Sequence, residues 1–249
     1  MIDYIFFKIA MIKTKFSPYV WPSLHSKELV SSKTNLENMA ISPNEFIYTY
    51  PAQNFSEIIG TIVRNYPEQA FYFLNVGLLR EKIKIIQSQF IPENPHRVIA
   101  YAVKANPKPA ILKILTDAGI NNFDCASMGE IDLVKSINPQ AHILYNNPVK
   151  PQKSIGSAYE QGVRHFTIQH YSEIAKILNY SNTFNLEELE ITVRLRASKG
   201  TAKIDFFEKY GASEESTIKL IDHINNDLGA MPGISIHVGS QNNDPQAFQ

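Results

Sequence analysis

From about Phe71 onward the chain alternates short apolar runs with longer stretches whose apolar residues recur at helical spacing. "AFYFL" (Ala70–Leu74) predicts a strand and Val76–Gln89 a helix. "RVIAYAV" (Arg97–Val103) is an apolar, β-branched run that reads as the next strand. "PKPAILKILTDAG" then supplies a helix, with Pro near its start and Gly119 at its end. "NNFDCAS" predicts a strand and Met128–Ile137 a helix, with Ile131, Val134 and Ile137 on one face. "AHILY" and "VRHFTI" are further strands, followed by helices over about Lys153–Gln161 and Tyr171–Leu178. "LEITVRLR" is a strand, a helix runs from about Ser213 to Leu228, and "GISIHVGS" closes the pattern as a strand.

Sustained strand–helix alternation implies a parallel sheet, because parallel neighbours need a crossover connection. An open doubly wound sheet and a (β/α) barrel both satisfy it. No G-x-G-x-x-G follows any strand, which removes the main support for a dinucleotide-binding sheet. The even spacing of the units favours a barrel. Residues 1–45 show no sustained periodicity and are rich in Ser, Lys and Asn, so they read as a loosely ordered extension ahead of a domain over 46–249.

Composition narrows the class. Of 249 residues, 44% are hydrophobic, and 24 basic side chains balance 24 acidic ones. That balance gives no electrostatic case for nucleic acid or an anionic membrane as partner. Cys125 is the only cysteine, so no intrachain disulfide forms and a reducing, cytoplasmic setting is expected. The opening "MIDYIFFKIAMIKTKF" has a faint signal-peptide look, but Lys8 interrupts its apolar core and no small-residue cleavage site follows. No stretch reaches the roughly 18 uninterrupted apolar residues of a membrane span.

A barrel places its chemistry at the C-terminal ends of its strands. There the sequence puts Lys104 and Asn106, Asp124 to Ser127, Asn146 to Pro148, Arg194 and Arg196, and His237 to Ser240. Each strand is otherwise apolar, so polar residues converging on one rim mark a candidate site. No H-E-x-x-H or paired His–carboxylate motif predicts a metal, and His165 and His170 read as ordinary surface or core residues. A lysine on a rigid strand end suits imine chemistry, since its amine must meet a carbonyl from a fixed direction. Schiff-base aldolases and enzymes that hold pyridoxal phosphate (PLP) both use such a lysine.

"YAVKAN" with "P-x-x-x-I-L-x-x-L", then "FDCAS-x-x-E-I", "YNNPVK", "VRLR" and "HVGSQ" follow one another from about Ala70 to Phe248. In that order and spacing they resemble the group IV PLP-dependent decarboxylases, with ornithine decarboxylases the nearest branch. "FDCAS" and Asn147–Lys150 are similar to ornithine decarboxylases, whereas "HVGSQ" is shared with diaminopimelate and bacterial lysine/ornithine enzymes. Alanine racemases keep the Ala-Val-Lys-Ala-Asn run but continue differently from Pro107-Lys108-Pro109.

The resemblance implies a partial (β/α)8 TIM-like barrel of the alanine racemase and ornithine decarboxylase type. It implies that Lys104 holds PLP through its amine, that His237 stacks on the pyridine face, and that Ser240, beside Gly239, binds the phosphate. Asp124 and Arg194 would form a charged pair near the lysine and the ring. Glu130 reads instead as a helix-start carboxylate, and Lys209 matches a position that meets the partner subunit in family homodimers. The implied reaction is decarboxylation of a basic amino acid, ornithine first, as in polyamine biosynthesis. Lysine and diaminopimelate are the alternatives, as is a non-catalytic remnant of the family.

Family enzymes are considerably longer. The expectation is therefore a chain truncated at its C-terminal side, without the second, β domain, the glycine-rich phosphate loop and the residues contributed across the dimer. The absence of any Gly-Gly pair among 11 glycines accords with this.

Overall fold

The structure, a computed structural model, describes residues 46–48, 64, 73–90, 98–197, 209–240 and 242. The extension expected over 1–45 and the first residues of "AFYFL" lie outside the described residues. Two compact units are distinguished. In the first, β1 (Phe46–Tyr48) pairs in parallel with β2 (Phe73–Asn75), which runs straight into α1 (Val76–Phe90). The same unit holds α2 (Pro109–Asp117), started by a proline whose missing N–H costs nothing in the first turn. The Gln87 side-chain amide of α1 donates to the Ala118 carbonyl just past α2, at 3.2 Å.

The second unit is a six-stranded sheet. Its strands are β3 (Ala100–Ala102), β4 (Asn122–Cys125), β5 (His142–Tyr145), β6 (His165–Ile168), β7 (Glu190–Leu195) and β8 (Met231–Ile236). Every neighbouring pair is parallel, and the order across the sheet follows the order along the chain. A doubly wound sheet reverses its winding once; this one never does, which is the barrel's mode of growth. The fold is therefore a partial (β/α) barrel.

Helices α3 (Met128–Ile137), α4 (Gln152–Glu160), α5 (Tyr171–Leu178) and α6 (Glu214–His223) begin where the chain changes period. Ser127, His170 and Ser213 each accept a backbone N–H from the first turn of the following helix, satisfying donors that helix geometry leaves open. The helix expected up to Leu228 is regular only to His223, after which Ile224–Leu228 winds more widely and Gly229 ends it.

Alternation sorts the strand residues onto two faces. Phe123, Cys125, Ile143, Tyr145, Phe166, Ile168, Ile191 and Val193 are buried on the outer, helix-covered face. Each large apolar side chain there contributes about 2 kcal/mol of transfer free energy. The registers Ala102↔Asp124, Asp124↔Leu144, Leu144↔His165, Thr167↔Thr192 and Arg194↔Ser235 define the opposite, inner face. That face is rich in polar groups. On β8 the outer face is half exposed, with Ile234 at 52% and Ile236 at 50%.

Candidate active site

The parallel sheet brings all its C-terminal strand ends to one rim. Lys104 lies on a single tight turn, Val103–Ala105, directly after β3. Val103 is fully buried and anchors that turn, and the Tyr101 hydroxyl donates to the Asn106 carbonyl at 3.2 Å, closing it. Burial pushes the Tyr101 hydroxyl up to about 12, so it stays a donor throughout the working range of a protein. The Lys104 side chain is exposed.

Asp124 and Arg194 both point to the inner face, as the registers require. Burial lowers the Arg194 guanidinium from its ordinary value, while Tyr210 and the Asp124 carboxylate favour the charged form. The Tyr210 ring lies 4.8 Å from Arg194 Cζ, a cation–π contact. Its segment is docked tightly on the end of β7. Ala212 N–H donates to the Arg194 carbonyl at 2.8 Å, and Arg196 N–H to the Ala212 carbonyl at 2.9 Å. Gly211 N–H donates to the Gln169 side-chain oxygen at 2.9 Å. Arg196, which the sequence also puts on the rim, directs its guanidinium to the Gly211 carbonyl instead.

His237 follows β8. Its Nδ1 accepts the Gly239 backbone N–H at 3.0 Å, so the ring proton of the neutral imidazole lies on Nε2. Gly239 has a φ of 96°, which favours glycine, and this turn ends the strand before Ser240. The predicted strand thus stops at Ile236, and His237 to Ser240 form the rim loop. Glu130 Oε2 accepts the Ala126 backbone N–H at 2.6 Å while Ser127 Oγ accepts from Glu130 N–H at 3.3 Å, the helix-start role expected of it.

Three features of the second unit, two at the rim and one at the opposite end of the sheet, were not legible as such in the sequence. Tyr210 approaches Arg194 from a segment remote along the chain. Lys150, read only as part of "YNNPVK", is 1% exposed. Its ammonium donates to the Asn147 carbonyl at 3.0 Å and the Thr167 carbonyl at 2.6 Å, and it pairs with Glu173 at 3.2 Å. His165, read as an ordinary surface or core residue, is fully buried on the inner face, between Glu190 and Thr192. The local cue for Lys150 and Glu173 was weak: a lysine two residues after a proline, and a glutamate in the first turn of a helix.

Among the described residues no group of three or more His, Cys, Asp or Glu side chains is placed to hold a metal ion. The residues present do fit PLP, a planar, anionic aldehyde. An exposed primary amine, a guanidinium whose charged form a carboxylate on the same face favours, and an imidazole with one fixed N–H share one rim.

Residues 76–249 match the pyridoxal-dependent decarboxylase family, pyridoxal-binding domain. The chain belongs to that family. It is 30% identical to ornithine decarboxylase of Saccharomyces cerevisiae over 228 residues, which are 89% of this chain and 46% of that enzyme. It is 33% identical to lysine/ornithine decarboxylase of Selenomonas ruminantium over 157 residues, 62% of this chain and 38% of the relative. The arginine decarboxylase of Paramecium bursaria Chlorella virus, solved with agmatine bound, matches with a TM-score of 0.67 at 28% identity, covering 78% of this chain and 50% of that one. The chain thus spans half or less of the length of each. Among the described residues no helix is long and apolar enough to cross a membrane.

Proposed function

We propose that this chain supplies the pyridoxal-binding part of a decarboxylase acting on a basic amino acid, with ornithine the first choice and lysine the second. The observation that carries the reading is the convergence of Lys104, Asp124, Arg194 and His237 on one strand-end rim. The family match and the ornithine, lysine/ornithine and arginine decarboxylases among its relatives support it.

PLP, when bound, supplies a conjugated sink for the electron pair left as carbon dioxide departs. The remaining work falls to this chain. Lys104, exposed on a turn anchored by buried Val103, would hold the aldehyde carbon through its amine from a fixed direction. His237 presents the flat face of its imidazole, its tilt held by the Gly239 N–H. Arg194 and Asp124 would set opposite charges on the inner face, and Ser240 would add a hydroxyl for an anionic oxygen. Lys209, exposed beside Tyr210, is a candidate contact for a second subunit of a homodimer.

The test is a visible absorption spectrum of the purified chain with added pyridoxal phosphate, before and after borohydride, with Lys104→Ala as control. A band that borohydride fixes on Lys104 supports the reading, and release of carbon dioxide from ornithine, lysine or diaminopimelate then ranks the substrates. A folded chain that gives no such band overturns it.

A further inference from the structure

The inner face of β5–β7 carries a continuous hydrogen-bonded chain that climbs to the rim. Glu190 Oε2 lies 3.2 Å from His165 Nδ1, and His165 Nε2 lies 3.2 Å from Thr192 Oγ1. The Thr192 and Thr167 hydroxyl oxygens are 2.7 Å apart, and Thr167 Oγ1 donates to Asn146 Oδ1 at 2.5 Å. The direction is set from the top. A hydroxyl has one hydrogen, and that of Thr167 is used on Asn146, so Thr192 donates to Thr167.

The two asparagines at the top of β5 are used differently. Asn147 is engaged at both ends of its amide: its Nδ2 donates to the Ala126 carbonyl at 3.2 Å, its Oδ1 accepts from Val149 N–H at 3.2 Å, and its backbone carbonyl accepts from Lys150. Asn146 gives its backbone N–H to the Cys125 carbonyl at 2.9 Å and its side-chain oxygen to Thr167. Its Nδ2 bonds to no other group among the described residues. A planar amide carries its donor and acceptor on opposite edges, so fixing the oxygen toward Thr167 turns the two Nδ2 hydrogens away from it, still on the inner face. Lys150, from the outer side, holds the carbonyls of Asn147 and Thr167, so the backbone on both sides of this contact is immobilised.

We propose that Asn146 is a ligand-binding residue of the rim. Its pre-oriented N–H2 group receives an anionic oxygen of a small molecule held there, either an oxygen of pyridoxal phosphate or the carboxylate of an amino-acid substrate. The inference rests on the reading of the rim given above. A donor fixed before the ligand arrives binds with little ordering cost and is worth most where water is excluded.

Asn146→Asp tests it, because the variant keeps the side chain's size and an acceptor for Thr167 while replacing the N–H2 with an anionic oxygen. Wild type and variant are titrated spectrally with pyridoxal phosphate, then with ornithine, and borohydride trapping on Lys104 is scored. Loss of a hydrogen bond to a charged group corresponds to weakening of roughly tenfold or more. That loss for pyridoxal phosphate assigns the acceptor to the cofactor; near-normal cofactor binding with the same loss for ornithine assigns it to the substrate. Wild-type affinities for both ligands in the variant overturn the inference and leave the rim reading intact. Failure of the wild type to trap pyridoxal phosphate overturns both. A measurement on the unmodified chain guards against misfolding of the variant: the Asn146 side-chain 1H–15N resonances shift on saturation with the ligand it binds, and unchanged resonances with both ligands sink the proposal.

Discussion

Lys150 Nζ and Glu173 Oε2 lie 3.2 Å apart in the interior of the second unit, with side-chain exposures of 0% and 2%. Glu173 also accepts the Lys150 backbone N–H at 3.1 Å and pairs with Lys176, whose ammonium donates to the Lys150 carbonyl at 2.7 Å. The cluster ties the loop after β5 to the end of β6 and the first turn of α5. Such a pair contributes modest net stability, but removing one partner strands a buried charge.

Glu173→Ala is therefore expected to destabilise the chain by about 3–5 kcal/mol, because Lys150 keeps only two neutral carbonyls as partners. Urea unfolding followed by circular dichroism measures this. A loss below about 1 kcal/mol would mean the ammonium escapes to water in the variant.

The same lysine makes stability depend on pH. Burial lowers its ammonium from the ordinary 10.5 to about 8, with Glu173 opposing the shift. Between those values the unfolded chain holds the proton more often than the folded one, so this group's contribution to stability rises with pH across that window and is constant below it. The difference in urea midpoint between wild type and Lys150→Met should therefore move in favour of wild type from pH 7.5 to pH 9.5. An unchanged difference would contradict the assignment.

Cys125 is fully buried, and desolvation pushes its thiol well above the usual range, with Glu130 and Asp124 adding to the effect. The thiolate is the reactive form, so the folded chain should resist a thiol reagent at neutral pH. Labelling in native buffer should track global unfolding and accelerate with denaturant. Rapid stoichiometric labelling without denaturant would show that β4 opens locally.

Gly211 has a φ of 99°, and a Cβ there would stand 2.6 Å from Arg196 Cα. Neither the backbone conformation nor the space admits a side chain. Gly211→Ala should cost about 1–3 kcal/mol in urea unfolding. It should also displace the adjacent Tyr210 from Arg194, read as a change in tyrosine absorbance. Wild-type stability with an unchanged spectrum would show that the Lys209–Ala212 segment docks less rigidly than its hydrogen bonds indicate.

The strand–helix order was legible because its signals are local. A helix over Met128–Ile137 follows from apolar spacing and a serine cap, and Tyr171–Leu178 from the same kind of pattern. Strand ends were read too far: "VRLR" and "HVGS" are apolar enough to prolong a strand, but the ladder stops at Leu195 and Ile236. His165 looked ordinary because nothing near it in sequence reveals Glu190 and Thr192, 25 and 27 residues away.

Periodicity alone was enough to establish alternating strands and helices, a parallel sheet and a polar rim, since each depends on residues within a few positions of one another. Which architecture the strands build was decided by their order, and that is a property of long-range pairing. Burial of Lys150, the approach of Tyr210 to Arg194, and the different uses of Asn146 and Asn147 were decided in the same way. Each depends on a partner brought close only when neighbouring strands and the segments docked on them are registered against one another, because a one-residue slip turns a strand's side chains to the other face.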